Sequence, residues 1–318
     1  MSSEQAKRLI FTDRHHRGAS GRRVVAIRRG VGADAAWWRG MKPWDRYRLR
    51  VEAAAHALRD PVFALESAAV VHRLPTFGEP VDLHVLAAEG SRGYRRGGIV
   101  RHMRRPGVAI VRVEGVLATS LEDTVLDLIR VLPLVFAVAV LEAALWRGVT
   151  VDGLRGMLDA HSDRRGRRRA QAALDHADGR SESVLESMSR VVIELLGYPA
   201  PELQVEFATA SGQARADFFW RAEGVVGEAD GKSKYFGEAA GTDEVVHAER
   251  RREIALRRVV RDIARWEWAD VVDPARLDAI LAAVGLERVR PMDPHLAEAV
   301  TNPRSDAQSS RRLRVEHS

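Results

Sequence analysis

At 318 residues, with 46% hydrophobic and 30% charged positions, the chain is long enough for two cores and too apolar to be disordered. Its net charge of +6 rests almost wholly on arginine, since only Lys7, Lys42, Lys232 and Lys234 among 50 basic residues are lysines. The absence of cysteine excludes disulfides and thiolate zinc sites.

Guanidinium forks suit phosphates, so the arginine excess favours a polyanionic partner. An Arg-, Ala- and Val-rich composition produces the same excess, and charge alone is weak support. The N-terminus lacks the apolar stretch of a signal peptide. The longest apolar run, Val131 to Leu141, is too short to cross a bilayer. The expectation is a soluble, cytoplasmic protein with no membrane partner.

In chain order, residues 1–20 read as a polar, frayed arm and Val24 to Ile27 as a short strand. Asp45 to Leu58 has helical spacing, with Tyr47, Leu49, Val51, Ala54 and Leu58 as candidate core positions. A second helix, Ala64 to His72, ends before Leu74–Pro75. Strands are expected over Val81 to Leu86, Gly98 to His102 and Val108 to Val113. Ser120 offers a cap for a helix over Leu121 to Val131, with Asp123 three residues on. Another helix spans Leu134 to Trp146.

Residues 161–180 open with the basic stretch His161 to Arg169. Arg164, Arg165, Arg167, Arg168 and Arg169 are candidate nucleic-acid contacts, and the stretch reads equally as a solvated linker or exposed helix start. Beyond it, Ser181 to Leu196 shows a buried helical stripe closed by Gly197. Three strands follow: Leu203 to Ala208, Ala214 to Trp220 and Gly224 to Asp230. A charged helix over Asp243 to Val259 and a strand over Asp262 to Trp268 complete the order. Trp266 and Trp268 share a face of that strand, and residues 291–318 form a polar tail.

Strand alternation puts Glu228 and Asp230 on one side of their strand, about 7 Å apart. If the preceding strand forms a hairpin with it, Asp217 lies within about 5–8 Å of both. The helix adds Glu182 and Glu186, one turn apart. Clustered carboxylates repel, and a hard cation such as Mg²⁺ relieves the repulsion while activating water. Pairing with Arg215, Lys232 and Lys234 relieves it equally well, so metal site and salt-bridge cluster both stay open.

The segments Arg215 to Trp220, Gly227 to Tyr235 and Arg180 to Ser187 resemble the very-short-patch-repair-like (Vsr-like) branch of the PD-(D/E)xK nuclease superfamily. The resemblance covers about 90 residues, with the order helix, three strands, helix, strand. It implies an α/β fold whose C-terminal domain, residues 181–290, is a restriction-endonuclease-like αβββαβ core. It implies a Mg²⁺-dependent DNA endonuclease or nickase in which Asp217 and Glu228 hold metal and Glu186 is the helix-borne acid. Asp230 stands where the superfamily usually has lysine. It would be an outer metal ligand, with Lys232 or Lys234 as the catalytic cation and Arg215 as a further contact to DNA.

The segments Pro61 to Pro75, Val81 to Val85 and Ala118 to Asp127 resemble abortive-infection (AbiEi-like) antitoxin or regulator proteins. That implies an α+β N-terminal domain over residues 21–160, DNA binding and a toxin partner. The alternative reading is therefore a non-catalytic DNA-binding regulator with a degenerate nuclease fold.

Remaining polar residues read as structural. His72, His84 and His102 lack the close spacing of a metal clamp and are expected to be satisfied by local hydrogen bonds. Thr119–Ser120 is a cap rather than a nucleophile, and Trp37, Trp38 and Trp44 are packing residues before they are base-stacking ones. No phosphate-binding glycine motif appears.

Overall fold

The computed structural model describes residues 10–11, 24–28, 30–209, 212–230 and 254–301. The arm expected before residue 20 (apart from 10–11), the first part of the helix expected from Asp243, and the tail from Pro303 lie outside the described residues. The chain forms two compact units. One runs to Val131 and includes Asp152–Arg165; the other joins Leu132–Val151 to Gly166–Thr301.

The first unit opens with a sheet of order β1-β3-β2, from β1 (Ile10–Phe11), β2 (Val24–Arg28) and β3 (Val31–Asp34). Asp34 starts α1 (Ala35–Gly40) because its carboxylate accepts the Ala36 and Trp37 N–H groups at 2.9 Å. Helix α2 (Pro43–Ala57) begins with proline at a position whose N–H has no helical partner. As expected from spacing, α2 buries Tyr47, Leu49, Val51 and Ala54; Leu58, half-buried, packs against the same core. Trp37 and Trp38 pack against Val31, Ala33, Leu49 and Ala53, in line with their structural reading.

A six-stranded mixed sheet follows, of order β6-β7-β5-β4-β9-β8. Its strands are β4 (Val62–Phe63), β5 (Leu83–Leu86), β6 (Tyr94–Arg96), β7 (Ile99–His102), β8 (Ile110–Val113) and β9 (Val116–Thr119). Helix α3 (Leu65–Val71) packs on β5 and on α4 (Leu121–Ile129). Ser120 caps α4: its hydroxyl accepts the Asp123 N–H at 3.0 Å and donates to the Asp123 carboxylate at 2.8 Å. His72 meets the Thr119 carbonyl at 2.7 Å. Helix α6 (Val151–Ala160) belongs to this unit although α5 (Leu134–Leu145) precedes it in the other.

In the second unit α5 is buried along nearly its whole length and packs on α7 (Arg167–Asp175) and α8 (Val184–Leu196). Ser183 caps α8, accepting the Glu186 N–H at 3.1 Å. Gly197 ends it at φ +90°, where a Cβ would meet the Arg290 carbonyl oxygen at 2.2 Å. The sheet has order β10-β11-β12-β13, from β10 (Glu202–Thr209), β11 (Gly212–Trp220), β12 (Val225–Ala229) and β13 (Asp262–Trp266). The first three strands are antiparallel neighbours and β13 runs parallel to β12.

Two expectations need correction. The polar tail expected from residue 291 instead includes a short helix that buries Leu296, Ala299 and Val300. The last strand stops at Trp266, because Glu267 and Asp270 form a reciprocal capping box and Trp268 enters α9 (Trp268–Val271). Trp266 and Trp268 therefore do not share a strand face. Trp266 instead donates its indole N–H to Ser189 on α8 at 2.8 Å, fixing the helix to the sheet. Helices α10 (Pro274–Ala283) and α11 (Leu296–Val300) complete the unit. Among the described residues no helix is long and apolar enough to cross a membrane.

Candidate acidic site

Strand register places one residue from each strand in a row across the second unit's sheet. Leu203 pairs with Phe218 and Val205 with Ala216, so Gln204 lies opposite Asp217. Phe218 pairs with Gly227, so the next step sets Asp217 beside Glu228, and Glu228 pairs with Arg265. Neighbours in such a row stand about 5 Å apart at Cβ. The hairpin premise for Asp217 and Glu228 is met.

Asp217 is half-buried, and its carboxylate accepts the Ala229 N–H at 2.9 Å. That bond fixes the side chain against β12 next to half-buried Glu228. Strand β12 ends at Ala229, and Asp230 beyond it is exposed, its N–H bound to the Trp266 carbonyl at 2.9 Å. Asp230 is thus held by its backbone at the edge of the row.

Glu186 comes to the row from the first turn of α8 and is 7% exposed. One carboxylate oxygen accepts the Glu182 N–H at 2.8 Å and the Gln204 amide at 2.7 Å. Burial raises its pKa above the ordinary carboxylate value. The Glu182 N–H opposes this, the charge of Asp217 adds to it, and bonds from Ser183 and Gln204 again oppose it. The charge of Asp217 thus reaches Glu186. An acid with a raised pKa beside a carboxylate suits proton transfer.

Gln204 was not among the residues singled out from the sequence. Its backbone sits at φ +55° inside a strand, a strained conformation for a non-glycine residue. Its side-chain carbonyl oxygen is buried with no hydrogen-bond partner among the described residues. The only signal in the sequence is a polar side chain alternating with Leu203 and Val205, which any half-buried strand would show.

The donors are carboxylate oxygens, the chemistry Mg²⁺ prefers, and Mg²⁺ is commonly held by one or two carboxylates together with waters and substrate phosphates. Asp217 and Glu228 fit that requirement. Among the described residues no three His, Cys, Asp or Glu side chains group as a metal cage by themselves. Lys232 and Lys234 lie outside the described residues.

Three of the six candidate DNA-contacting arginines have local partners. Arg215 bonds Glu182. Arg165 forks onto Asp163 through contacts of 2.8–3.1 Å. Arg169 approaches Glu298 at 3.6 Å. Arg164 and Arg168 are exposed, and Arg167 begins α7.

No family model and no solved structure matches the chain. Two proteins of Mycobacterium tuberculosis are similar to it: uncharacterized protein MT2308 of strain CDC 1551 / Oshkosh and uncharacterized protein Rv2248 of strain ATCC 25618 / H37Rv. Each is 36% identical over 170 residues, a match covering 50% of this chain and 58% of the relative. The match spans less than two thirds of either relative, so its weight lies in the shared stretch.

Proposed function

We propose that the second unit is a Mg²⁺-dependent DNA endonuclease or nickase of the PD-(D/E)xK type, close to its Vsr-like branch. The observation that carries this reading is Asp217 set beside Glu228 on adjacent strands, with buried Glu186 hydrogen-bonded to Gln204, the residue opposite Asp217. The strand order, antiparallel through β12 and then parallel to β13, supports the αβββαβ reading.

In this reading Asp217 and Glu228 hold Mg²⁺, with Asp230 as an outer ligand. The ion would supply charge stabilisation at the phosphodiester and activate water. The Ala229 N–H orients Asp217, and Glu186 takes a proton from the attacking water. Lys232 or Lys234 meets the phosphate.

The test is nicking of supercoiled plasmid by the purified full chain with Mg²⁺. Asp217→Asn, which keeps an acceptor for the Ala229 N–H, should lower the rate at least about a hundredfold, the scale of losing one electrostatic catalytic group. Undiminished nicking by a correctly folded Asp217→Asn or Glu228→Gln protein would overturn the assignment.

A second reading is favoured by one observation: Asp230 occupies the position where the superfamily usually carries lysine. It is a non-catalytic DNA-binding regulator, with a toxin partner in keeping with the antitoxin-like N-terminal half. It predicts salt-sensitive DNA binding that persists in chelator and in the Asp217→Asn protein.

A further inference from the structure

A long, strongly positive stretch among the described residues lies in the first unit. Residues 90–113 contain seven arginines and no aspartate, glutamate or lysine. The run is centred on the β6–β7 hairpin at one edge of the six-stranded sheet. Arg96 pairs with Ile99 across a two-residue turn, Gly97 at φ +59° and Gly98 at φ +70°. Both turn positions require positive φ, and a Cβ at either would meet nothing within 4 Å, so the tip projects into open space.

Three of the seven arginines are occupied. Arg95 pairs with Asp82 at 2.9 Å, Arg105 with Asp123, and Arg112 with the Gly115 carbonyl at 2.8 Å. Arg104 only grazes Glu89, at 4.0 Å. Arg92, Arg96 and Arg101 form no ion pair among the described residues, and Arg92 and Arg96 are exposed. Arg101 lies over the Tyr94 ring at 5.0 Å, and its charge, after burial, lowers the pKa of Arg28 on β2. Like charges are being held together with no anion supplied. Tyr94 is 52% and Met103 70% exposed beside them.

We propose that the β6–β7 hairpin is a docking surface for the phosphate backbone of double-stranded DNA, with Arg92, Arg96, Arg101 and Arg104 as its contacts. Because β7 is paired on its other side to β5, the exposed part is the rim formed by β6 and its Gly97–Gly98 turn, and such a rim can lie along a duplex backbone. Arginine forks match phosphate oxygens, and the Gly97–Gly98 tip brings backbone N–H groups close to them. The surface uses none of the residues of the acidic site, and it stands or falls independently of nuclease activity. The competing explanation for arginines at a sheet edge is protection against strand-to-strand association.

The experiment is fluorescence polarisation of a labelled DNA duplex with the full chain in EDTA, across a series of salt concentrations. The Arg92→Gln/Arg96→Gln/Arg101→Gln protein should bind at least about tenfold more weakly, and the slope of log affinity against log salt should fall by about 2 to 3. Arg96→Glu alone, at the exposed tip, should weaken binding more than Arg96→Gln. Arg112→Gln, at the opposite edge of the same sheet, removes the same charge and should change little. Unchanged affinity and slope in the triple variant would overturn the proposal. So would an equal loss in Arg112→Gln, tighter binding to duplex RNA or anionic vesicles, or self-association of the triple variant with DNA affinity intact.

Discussion

The Gln204 amide donates to Glu186 at 2.7 Å from a strand position held at φ +55°. Strain of this kind costs on the order of 1 kcal/mol and survives only where neighbours enforce it. Its effect here is to aim a neutral donor at the one buried acid of the row. Gln204→Gly should relieve the backbone while removing the bond that lowers the Glu186 pKa. If the nuclease reading holds, the acid limb of the pH–nicking profile should move to higher pH while the melting temperature stays level or rises. An unmoved acid limb would show that Gln204 does not act through Glu186.

Asp217→Asn makes the complementary change. Removing its charge takes away one of the causes that raise the Glu186 pKa, so Glu186 should titrate at lower pH than in the wild type. Side-chain carboxyl NMR of a selectively labelled protein reads this shift without requiring activity. A Glu186 resonance that titrates identically in both proteins would separate the two carboxylates electrostatically.

Two histidines make the first unit acid-sensitive. His84 Nδ1 and His102 Nε2 are 2.9 Å apart, and His84 Nε2 is 3.4 Å from Glu66. A proton on Nε2 toward Glu66 leaves Nδ1 to accept from His102. Burial lowers both pKa values to about 4, against a small opposing pull from Asp82 on His84, and a small further lowering from His84 on His102. The unfolded chain therefore binds protons that the folded one refuses. The stability is complete above about pH 6.5 and is lost toward about 4, with a slope near 1.4 kcal/mol per pH unit for each histidine. Half-buried Asp127 works the other way: desolvation raises its pKa to about 6, so its destabilising charge is relieved by acid. Glu52, raised by burial, sides with Asp127, and His161, lowered by burial, sides with the histidine pair, so the pair decides the direction and melting temperature should fall through this window. His102→Gln should flatten the fall, and an identical profile would remove the histidine pair as its cause.

Glu142 and Arg190 form the buried ion pair of the second unit, at 1% and 13% side-chain exposure. Glu142 also accepts the Asp178 N–H at 2.7 Å, tying α5 to the segment before α8. Glu142→Ala leaves a buried guanidinium uncompensated and should cost about 3–5 kcal/mol. Glu142→Leu/Arg190→Met should recover much of it, as denaturant midpoints would show; a double variant as unstable as the single one would contradict this.

Gly227 in β12 is a packing requirement. A Cβ there would meet the Trp266 ring at 2.5 Å and the Trp220 ring at 3.0 Å. Gly227→Ala should destabilise by about 1–3 kcal/mol, the range for overpacked cores, measured as a lowered melting temperature. A neutral effect would mean that the two indoles can part.

Much of the second unit was legible in the residues. Period-3.6 spacing marked α8 to within three residues, with Gly197 as its end, and period-2 alternation marked β10, β11 and β12 to within two residues. Asp217 and Glu228 could be set side by side from alternation and a hairpin alone, because neighbouring strands joined by a short turn leave little freedom of register. In the first unit β3, β9 and α6 carried too few periodic residues to stand out. The basic run over residues 90–113 was hidden because its arginines are interrupted by glycines and by the buried side of β7.

What the chain's residue order determined by itself was local: which segments are helix or strand, and which acids share a face. Only the tertiary structure decided which distant elements meet. It set β5 beside β7 and β4 beside β9, joined His84 to His102, returned α6 to the first unit, and brought Gln204 to Glu186. The reason is physical. Periodicity records only that a face is buried, whereas the partner buried against it is chosen by packing and hydrogen bonding between segments far apart in sequence, which no local pattern encodes.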